Sequence, residues 1–293
     1  MWPPDTVERF SLNHIKLTGI VHLKPRSPRR IAHRLLAACL CAGVALAGCG
    51  APPESPARRG KVRVAAAADL NAAFPDLIAR FGASHDVDVN VSYGSSGNFY
   101  AQLLNQAPFD MFLSADVSYP NRLAESGLTL PQSEFTYAIG RIVVWAPASS
   151  KMDVEHEGLQ VLTQASIGHV AIANPEYAPY GRAAVAAMQS AGVYDRVKPK
   201  LVVGENIAQT MQFVQSGAAE VGIIALSLVL APNVNDKGRR FDIPASTYPR
   251  LEQGGTIMKG ASDVDAARAF RGFLLSADGQ AILKQYGFSI PDR

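Results

Sequence analysis

From Val62 onward the chain alternates short apolar runs with stretches whose apolar residues recur three or four positions apart. Val62-Arg63-Val64-Ala65-Ala66-Ala67-Ala68 predicts a strand that runs out into small residues. Leu70, Phe74, Leu77, Ile78 and Phe81 follow at helical spacing, with Asp69 where an N-cap belongs. Pro75 is tolerable only near a first turn, which starts that helix close to Leu70 or Asn71. Val87 to Tyr93 predicts a second strand, followed by Gly94-Ser95-Ser96-Gly97 and a helix through Leu104. Phe109 to Ser114 reads as a buried third strand and Asn121 to Ser126 as a helix. Strand–helix alternation of this kind implies a mainly parallel sheet with helices on its faces.

A second unit of the same kind begins with the apolar strand Ile142 to Ala146. Strand Val170–Ala173 leads through Asn174–Gly181 into an Ala-rich helix ending near Met188, and strand Lys200–Val203 leads through Gly204-Glu205-Asn206 into a helix over Ile207–Gln215. Val221 to Ala225 closes this unit as a buried strand. Val229 to Thr247 reads as loop, Gly254 to Met258 as a return strand, and Val264 to Gly287 as a helix pair with Gly279 near the break. The pattern predicts a two-lobed α/β clamp: residues 62–139 and 249–293 form lobe 1, and residues 140–248 form lobe 2. Hinges fall near Ile139-Gly140 and Tyr248-Pro249. Ligands of open α/β sheets bind where strand ends lead into helix N-termini. Four such loops are informative, two from each lobe: Ala68-Asp69, Ser95-Ser96, Pro179-Tyr180 and Asn206-Ile207.

The chain before Val62 has a different character. Arg26, Arg29, Arg30 and Arg34 precede an uncharged apolar run, Leu35 to Leu46, and then Leu46-Ala47-Gly48-Cys49. About twelve apolar residues are too few for a span of roughly twenty. The layout resembles a bacterial lipoprotein signal, which makes Cys49 the lipidated residue and residues 1–48 an N-terminal extension plus signal peptide. Residues 49–60, rich in Pro and polar residues, read as a tether. Removing residues 1–48 inverts the charge balance: of 28 Lys/Arg and 25 Asp/Glu they hold seven and two, which leaves 21 basic and 23 acidic groups. The whole-chain charge of +3 is therefore no argument for nucleic-acid binding. Cys39, Cys41 and Cys49 are the three cysteines, so the exported part carries no thiol nucleophile, disulfide or Cys metal site.

The Gly94–Gly97 loop offers two hydroxyls and several backbone N–H groups at a helix start, where the helix dipole adds partial positive charge. Such a place binds an anion without Lys or Arg. A plainer reading gives Ser95 or Ser96 only a capping role. An enzyme built on Ser95 or Ser96 with His85, His156 or His169 is a remote alternative, because Gly-Ser-Ser-Gly is not the Gly-x-Ser-x-Gly elbow. No His/Asp/Glu spacing reads as a metal site. Glu125, Arg122, Arg182 and Lys198 are candidate docking charges, each explicable as solvated surface.

The segments VAAAADL, VSYGSSGNFYAQL, PFDMFLSAD, FTYAIGRIVVWAP, ANPEYAPYGRAA, SGAAEVGIIAL and SADGQAILKQYGF together resemble the periplasmic molybdate-binding proteins that feed ABC importers, of the type II substrate-binding fold. The resemblance spans about Val62 to Pro291. It implies a non-enzymatic protein that binds molybdate or tungstate between its lobes and passes it to an ABC permease. The signal ending at Cys49 implies a lipid-anchored protein in the periplasm or at the outer face of the cell membrane, and a monomer with no cofactor is expected. Among the residues, the resemblance implies oxyanion contacts from Ser96 with Ser95 beside it, from Tyr180, and from the backbone N–H of Ile207, so that molybdenum is held through its oxygens and has no direct protein ligand. Ala225 stands where members lacking the first tyrosine carry another. The family's first contact, commonly Ser, Thr or Asn, falls on Ala68-Asp69. A carboxylate beside a dianion would cost several kcal/mol in a partly dry cleft. Asp69 is therefore expected to turn away and cap the following helix, leaving a backbone N–H for the ion. The alternative is a different tetrahedral oxyanion on the same fold (sulfate, phosphate or a phosphonate), with Asp69 accepting a proton from hydrogen phosphate.

Overall fold

The computed structural model describes residues 59–291. The signal, Cys49 and most of the tether lie outside them. Lobe 1 begins with β1 (Gly60–Ala67), α1 (Phe74–Gly82), β2 (Val87–Gly94), α2 (Ser96–Leu104), β3 (Met111–Ser114), α3 (Ser118–Glu125) and β4 (Phe135–Gly140). The chain then builds lobe 2 from β5 (Ile142–Pro147), α4 (Val154–Glu157), β6 (Val170–Ala173), α5 (Pro179–Ser190), α6 (Tyr194–Val197), β7 (Leu201–Gly204), α7 (Ile207–Gln215), β8 (Val221–Ala225), α8 (Leu226–Val229) and β9 (Gly238–Asp242). It returns to lobe 1 with β10 (Leu251–Ile257), α9 (Val264–Leu274) and α10 (Ala277–Gln285).

Each lobe holds a five-stranded sheet, ordered β2-β1-β3-β10-β4 in lobe 1 and β7-β6-β8-β5-β9 in lobe 2. Both sheets are mixed rather than mainly parallel. In lobe 1, β1 pairs in parallel with β2 and β3, while β10 pairs antiparallel with β3 and β4. In lobe 2, β6 pairs in parallel with β7 and β8, while β5 pairs antiparallel with β8 and β9. The antiparallel half of each sheet comes from the strands that flank the crossings between lobes, which no strand–helix alternation announces. One crossing is a single residue, Arg141, between β4 and β5; the other is the segment 243–250 between β9 and β10.

Apolar spacing accounts for the packed faces. Phe74 and Phe81 of α1 meet Phe270 and Phe273 of α9, with edge-on ring centroids 5.9 Å (Phe74–Phe270) and 5.1 Å (Phe81–Phe270) apart. Burial of Val62, Val64, Met111 and Leu113 joins the sheet to those rings. The lobe 2 core takes Ile142, Val143, Val144 and Trp145 of β5, and it reaches across to Ala67, Ala68 and Ala115 of lobe 1.

Three local expectations change. The helix expected from Leu70 starts at Phe74, with Pro75 in its first turn; Ala68–Leu70 is a separate 3-10 turn, and Ala73 rather than Asp69 precedes the helix. The C-terminal helices part at Leu275-Ser276, where Ser276 Oγ accepts from Gly279 N–H at 3.3 Å, so Gly279 lies inside α10. The loop expected over 229–247 contains β9, whose sequence GRRFD shows no apolar alternation because it is an edge strand with half-exposed residues.

Candidate functional site

All six residues singled out from the sequence line one cavity between the lobes: Ala68, Asp69, Ser95 and Ser96 from lobe 1, Tyr180 and Ile207 from lobe 2. Ala67, Gly94, Ala115, Ala178, Pro179 and Asn206 complete its wall. The cavity admits the centre of a water-sized sphere over about 10 Å³, the room for a single water. The fold brings these residues together because β1, β2, β6 and β7 all end at the cleft and each hands its chain to a turn or helix there.

Three helix N-termini converge on the cavity. The first N–H groups of a helix have no intrahelical partner and carry partial positive charge. At α2, Ser95 is the N-cap and its Oγ accepts from Asn98 N–H at 3.4 Å. Ser96 Oγ accepts from Ala115 N–H at 2.9 Å. Each hydroxyl thus uses a lone pair on the protein and keeps its proton for donation. At α7 the Asn206 side chain takes the Ala208 and Gln209 N–H groups at 3.0 and 3.1 Å, so the Ile207 N–H stands at the helix tip. At α5 the first position is Pro179, which has no N–H, and Tyr180 follows.

Asp69 does not turn away. Its side chain is 0 % exposed and sits in a polar network that crosses the cleft. Tyr180 Oη donates to Asp69 Oδ2 at 2.9 Å, and Gln253 Nε2 donates both to that oxygen and to Tyr180 Oη, the latter at 3.0 Å. Tyr137 Oη donates to Gln253 Oε1 at 2.9 Å, which fixes the amide's orientation. Asp69 Oδ1 is buried with no hydrogen-bond partner among the described residues. Burial pushes this carboxyl up to about 6, and the bonds from Gln253 and Tyr180 pull the other way. Tyr180 and Tyr137 are raised well above the ordinary phenol value, by burial first and by the Asp69 charge second. The expected helix cap is overturned because the 3-10 turn points the Asp69 side chain inward and α1 begins four residues after Leu70. Gln253 and Tyr137 escaped the sequence reading. Their signal was weak: one amide and one phenol in strands where apolar residues belong.

The cleft is shut by direct contacts at its floor and rim. Ser227 Oγ of lobe 2 donates to the Asp69 carbonyl at 2.7 Å, and Gly97 N–H donates to the Tyr177 carbonyl at 2.9 Å. A Cβ on Gly97 would stand 2.6 Å from that carbonyl, so the approach requires glycine. Asn98 Nδ2 reaches Glu205 Oε1 at 3.2 Å, and Arg182 Nη2 pairs with Asp116 Oδ2 at 2.7 Å. Gly140, the last residue before the Arg141 crossing, likewise leaves no room for a Cβ against Tyr180 Oη and Gln253 Nε2.

The two-lobed fold matches known proteins. The family described as bacterial extracellular solute-binding protein matches residues 62–289. The chain belongs to that family. A relative of this solute-binding protein, the molybdate-binding protein ModA of Rhodobacter capsulatus, is 36% identical over 80% of this chain and 90% of its own. The solved periplasmic molybdate-binding protein of Azotobacter vinelandii superimposes with a TM-score of 0.73 at 32% identity, covering 79% of this chain and all (100%) of that one. The sulfate-binding protein SubI of Mycobacterium tuberculosis, at 18% identity and a TM-score of 0.66 over 80% of this chain and 88% of its own, shares the fold.

The other candidates of the sequence lie away from the cavity of this solute-binding protein. His85 stacks on Phe81 with centroids 4.2 Å apart, His156 pairs with Asp153 at 2.7 Å, and His169 faces Glu220 at 3.8 Å. Among the described residues, no histidine therefore meets Ser95 or Ser96. Among the described residues, no group of three or more His, Cys, Asp or Glu could hold a metal ion, and no helix is long and apolar enough to cross a membrane. Arg182, considered as a docking charge, belongs to the rim contact with Asp116, and Arg122 lies 4.3 Å over the Tyr100 ring.

Proposed function

We propose that this protein captures molybdate, and tungstate alike, in the cleft and delivers it to an ABC permease. The observation that carries the reading is the convergence of the α2, α5 and α7 N-termini and the Ser95 and Ser96 hydroxyls on one cavity without Lys or Arg. Neutral, fixed donors of this kind suit a fully ionised tetrahedral dianion, and the family relatives point to the same chemistry. In this reading Ser96 Oγ, Ser95 Oγ and the Ile207 N–H donate to the ion's oxygens, with Ala68-Asp69 and Tyr180 closing the cage. Molybdenum is the cargo's central atom and takes no protein ligand. An oxyanion exceeds one water in size, so the lobes seat it slightly further apart than they stand here. Size then discriminates, because sulfate is too small to reach donors spaced for the longer molybdenum–oxygen bond. A lipid on Cys49, which lies outside the described residues, would tether the monomer at the outer face of the membrane.

Calorimetric titration with molybdate, tungstate, sulfate and phosphate at pH 6.5 tests the proposal. Tight one-to-one binding of the first two is expected. Ser96→Ala should weaken it by tenfold to about a hundredfold, the equivalent of one charge-assisted hydrogen bond of about 1.5–3 kcal/mol. Tight binding of sulfate or phosphate with none of molybdate would refute the assignment.

A further inference from the structure

Asp69 is the feature the proposed function does not absorb. A carboxylate stands among the very helix N-termini that would hold the anion, with one oxygen fully engaged and the other buried without a partner. We propose that Asp69 makes anion capture proton-linked: closing the lobes on a fully ionised tetrahedral dianion draws one proton from solvent onto Asp69 Oδ1. The protonated oxygen then donates a hydrogen bond to the ion, and Oδ2 stays held by Gln253. This rests on the molybdate reading above and deepens it.

The geometry leaves few other outcomes. An ionised Asp69 would face a dianion in a cleft whose lining holds no Lys or Arg, where like charges repel with little screening. Rotation offers no escape, because Tyr180 and Gln253 both grip Oδ2 and the side chain is 0 % exposed. Among the described residues, no cation offsets the charge. The groups facing Asp69 are phenols and an amide: Tyr180 from α5, Tyr137 from β4 and Gln253 from β10, with Tyr248 beyond Tyr180. α7 and α8 contribute no ionisable side chain. The charged residues on the surrounding segments are partly exposed and engaged elsewhere, Asp116 with Arg182, Glu205 with Asn98, and Glu252 with Arg250. The phenols are pushed above their ordinary value and stay neutral, so the carboxyl is the group that responds. Before the anion arrives, the Asp69 charge acts as an internal counter-ion for the helix N-termini; afterwards that role passes to the ligand, and the charge is neutralised in place.

The sign follows from the balance of protons. If the bound state holds one more proton than the free state, affinity is flat below the carboxyl's own value in the open, ligand-free protein and falls tenfold for each pH unit above it. The test is calorimetric titration of the wild-type protein with sodium molybdate from pH 6 to 8.5, in buffers of different ionisation enthalpy, repeated with Asp69→Asn. Expected are uptake of about one proton per molybdate at pH 7.5, a Kd about tenfold weaker at pH 8 than at pH 7, and in Asp69→Asn a flat profile with no uptake. Tight molybdate binding with no proton uptake and a flat wild-type profile would overturn this inference while leaving the function intact. So would an Asp69→Asn protein that keeps the wild-type proton count. The wild-type proton count decides the matter even where the variant fails to fold. Absence of molybdate binding at every pH, with phosphate bound and no proton taken up, would put the proton on the ligand and overturn both.

Discussion

Asp110, at the opposite end of β3 from the cavity, supports the sharpest stability prediction. It is fully buried and accepts five hydrogen bonds. Arg63 N–H, Nε and Nη2 approach at 2.7, 3.0 and 2.8 Å, and Ser262 N–H and Oγ at 2.8 and 3.0 Å. Burial alone would push the carboxyl up, but these bonds outweigh it and hold it at about 2. A value nearly two pH units below that of a free aspartate is worth about 2.5 kcal/mol at pH 7. The Arg63 side chain is 35% exposed, and solvent screening lowers the figure to about 2 kcal/mol. Asp110→Asn removes that contribution and turns an NH₂ toward either Arg63 or the Ser262 N–H, which adds about 1 kcal/mol or more for an unsatisfied donor. The expected loss is about 3 kcal/mol at pH 7.5, read by urea unfolding. Because the folded carboxyl is depressed, its stabilisation is present above pH 4 and fades as pH falls through 2, so about half of the charge-dependent part is gone by pH 3. Molybdate affinity should stay within about twofold, since the cavity lies at the other end of the strand. Equal stability of the two proteins at pH 7.5, or a gap unchanged down to pH 3, would refute the reasoning.

Two further predictions concern closure. Gly97→Ala should weaken molybdate binding more than tenfold by calorimetry while leaving the melting temperature of the free protein within a few degrees, because the added methyl meets the Tyr177 carbonyl only when the lobes meet. Arg182→Gln should speed ion release about two- to fivefold in stopped-flow measurements, and the difference should shrink at high salt, as befits a partly exposed ion pair worth about 0.5–1 kcal/mol.

The sequence carried the parallel half of each sheet and the loops of the cavity plainly. Strands rich in Val, Ile and Ala that end in Gly-Ser or Asn at a helix start leave little choice of arrangement, and Ser95, Ser96, Tyr180 and Ile207 followed from it. What it hid has local causes. β9 is a charged edge strand whose place is dictated by pairing with β5. Gly279 looks like a break but serves close packing of α10 on the end of α9, where a Cβ would run into the Phe273 carbonyl. Asp69 misled because N-cap chemistry is a short-range rule, and its partners Tyr180 and Gln253 are 111 and 184 residues away. Such partners become visible only once both lobes are folded.

The rim contacts carry one more implication. Gly97 with Tyr177, Asn98 with Glu205 and Arg182 with Asp116 each join groups from different lobes, and each exists only while the lobes touch. They translate an event in the cavity into contacts between the lobes at the rim of the cleft. A partner gripping both lobes would thus sense the cargo as a shape, without meeting the ion at all.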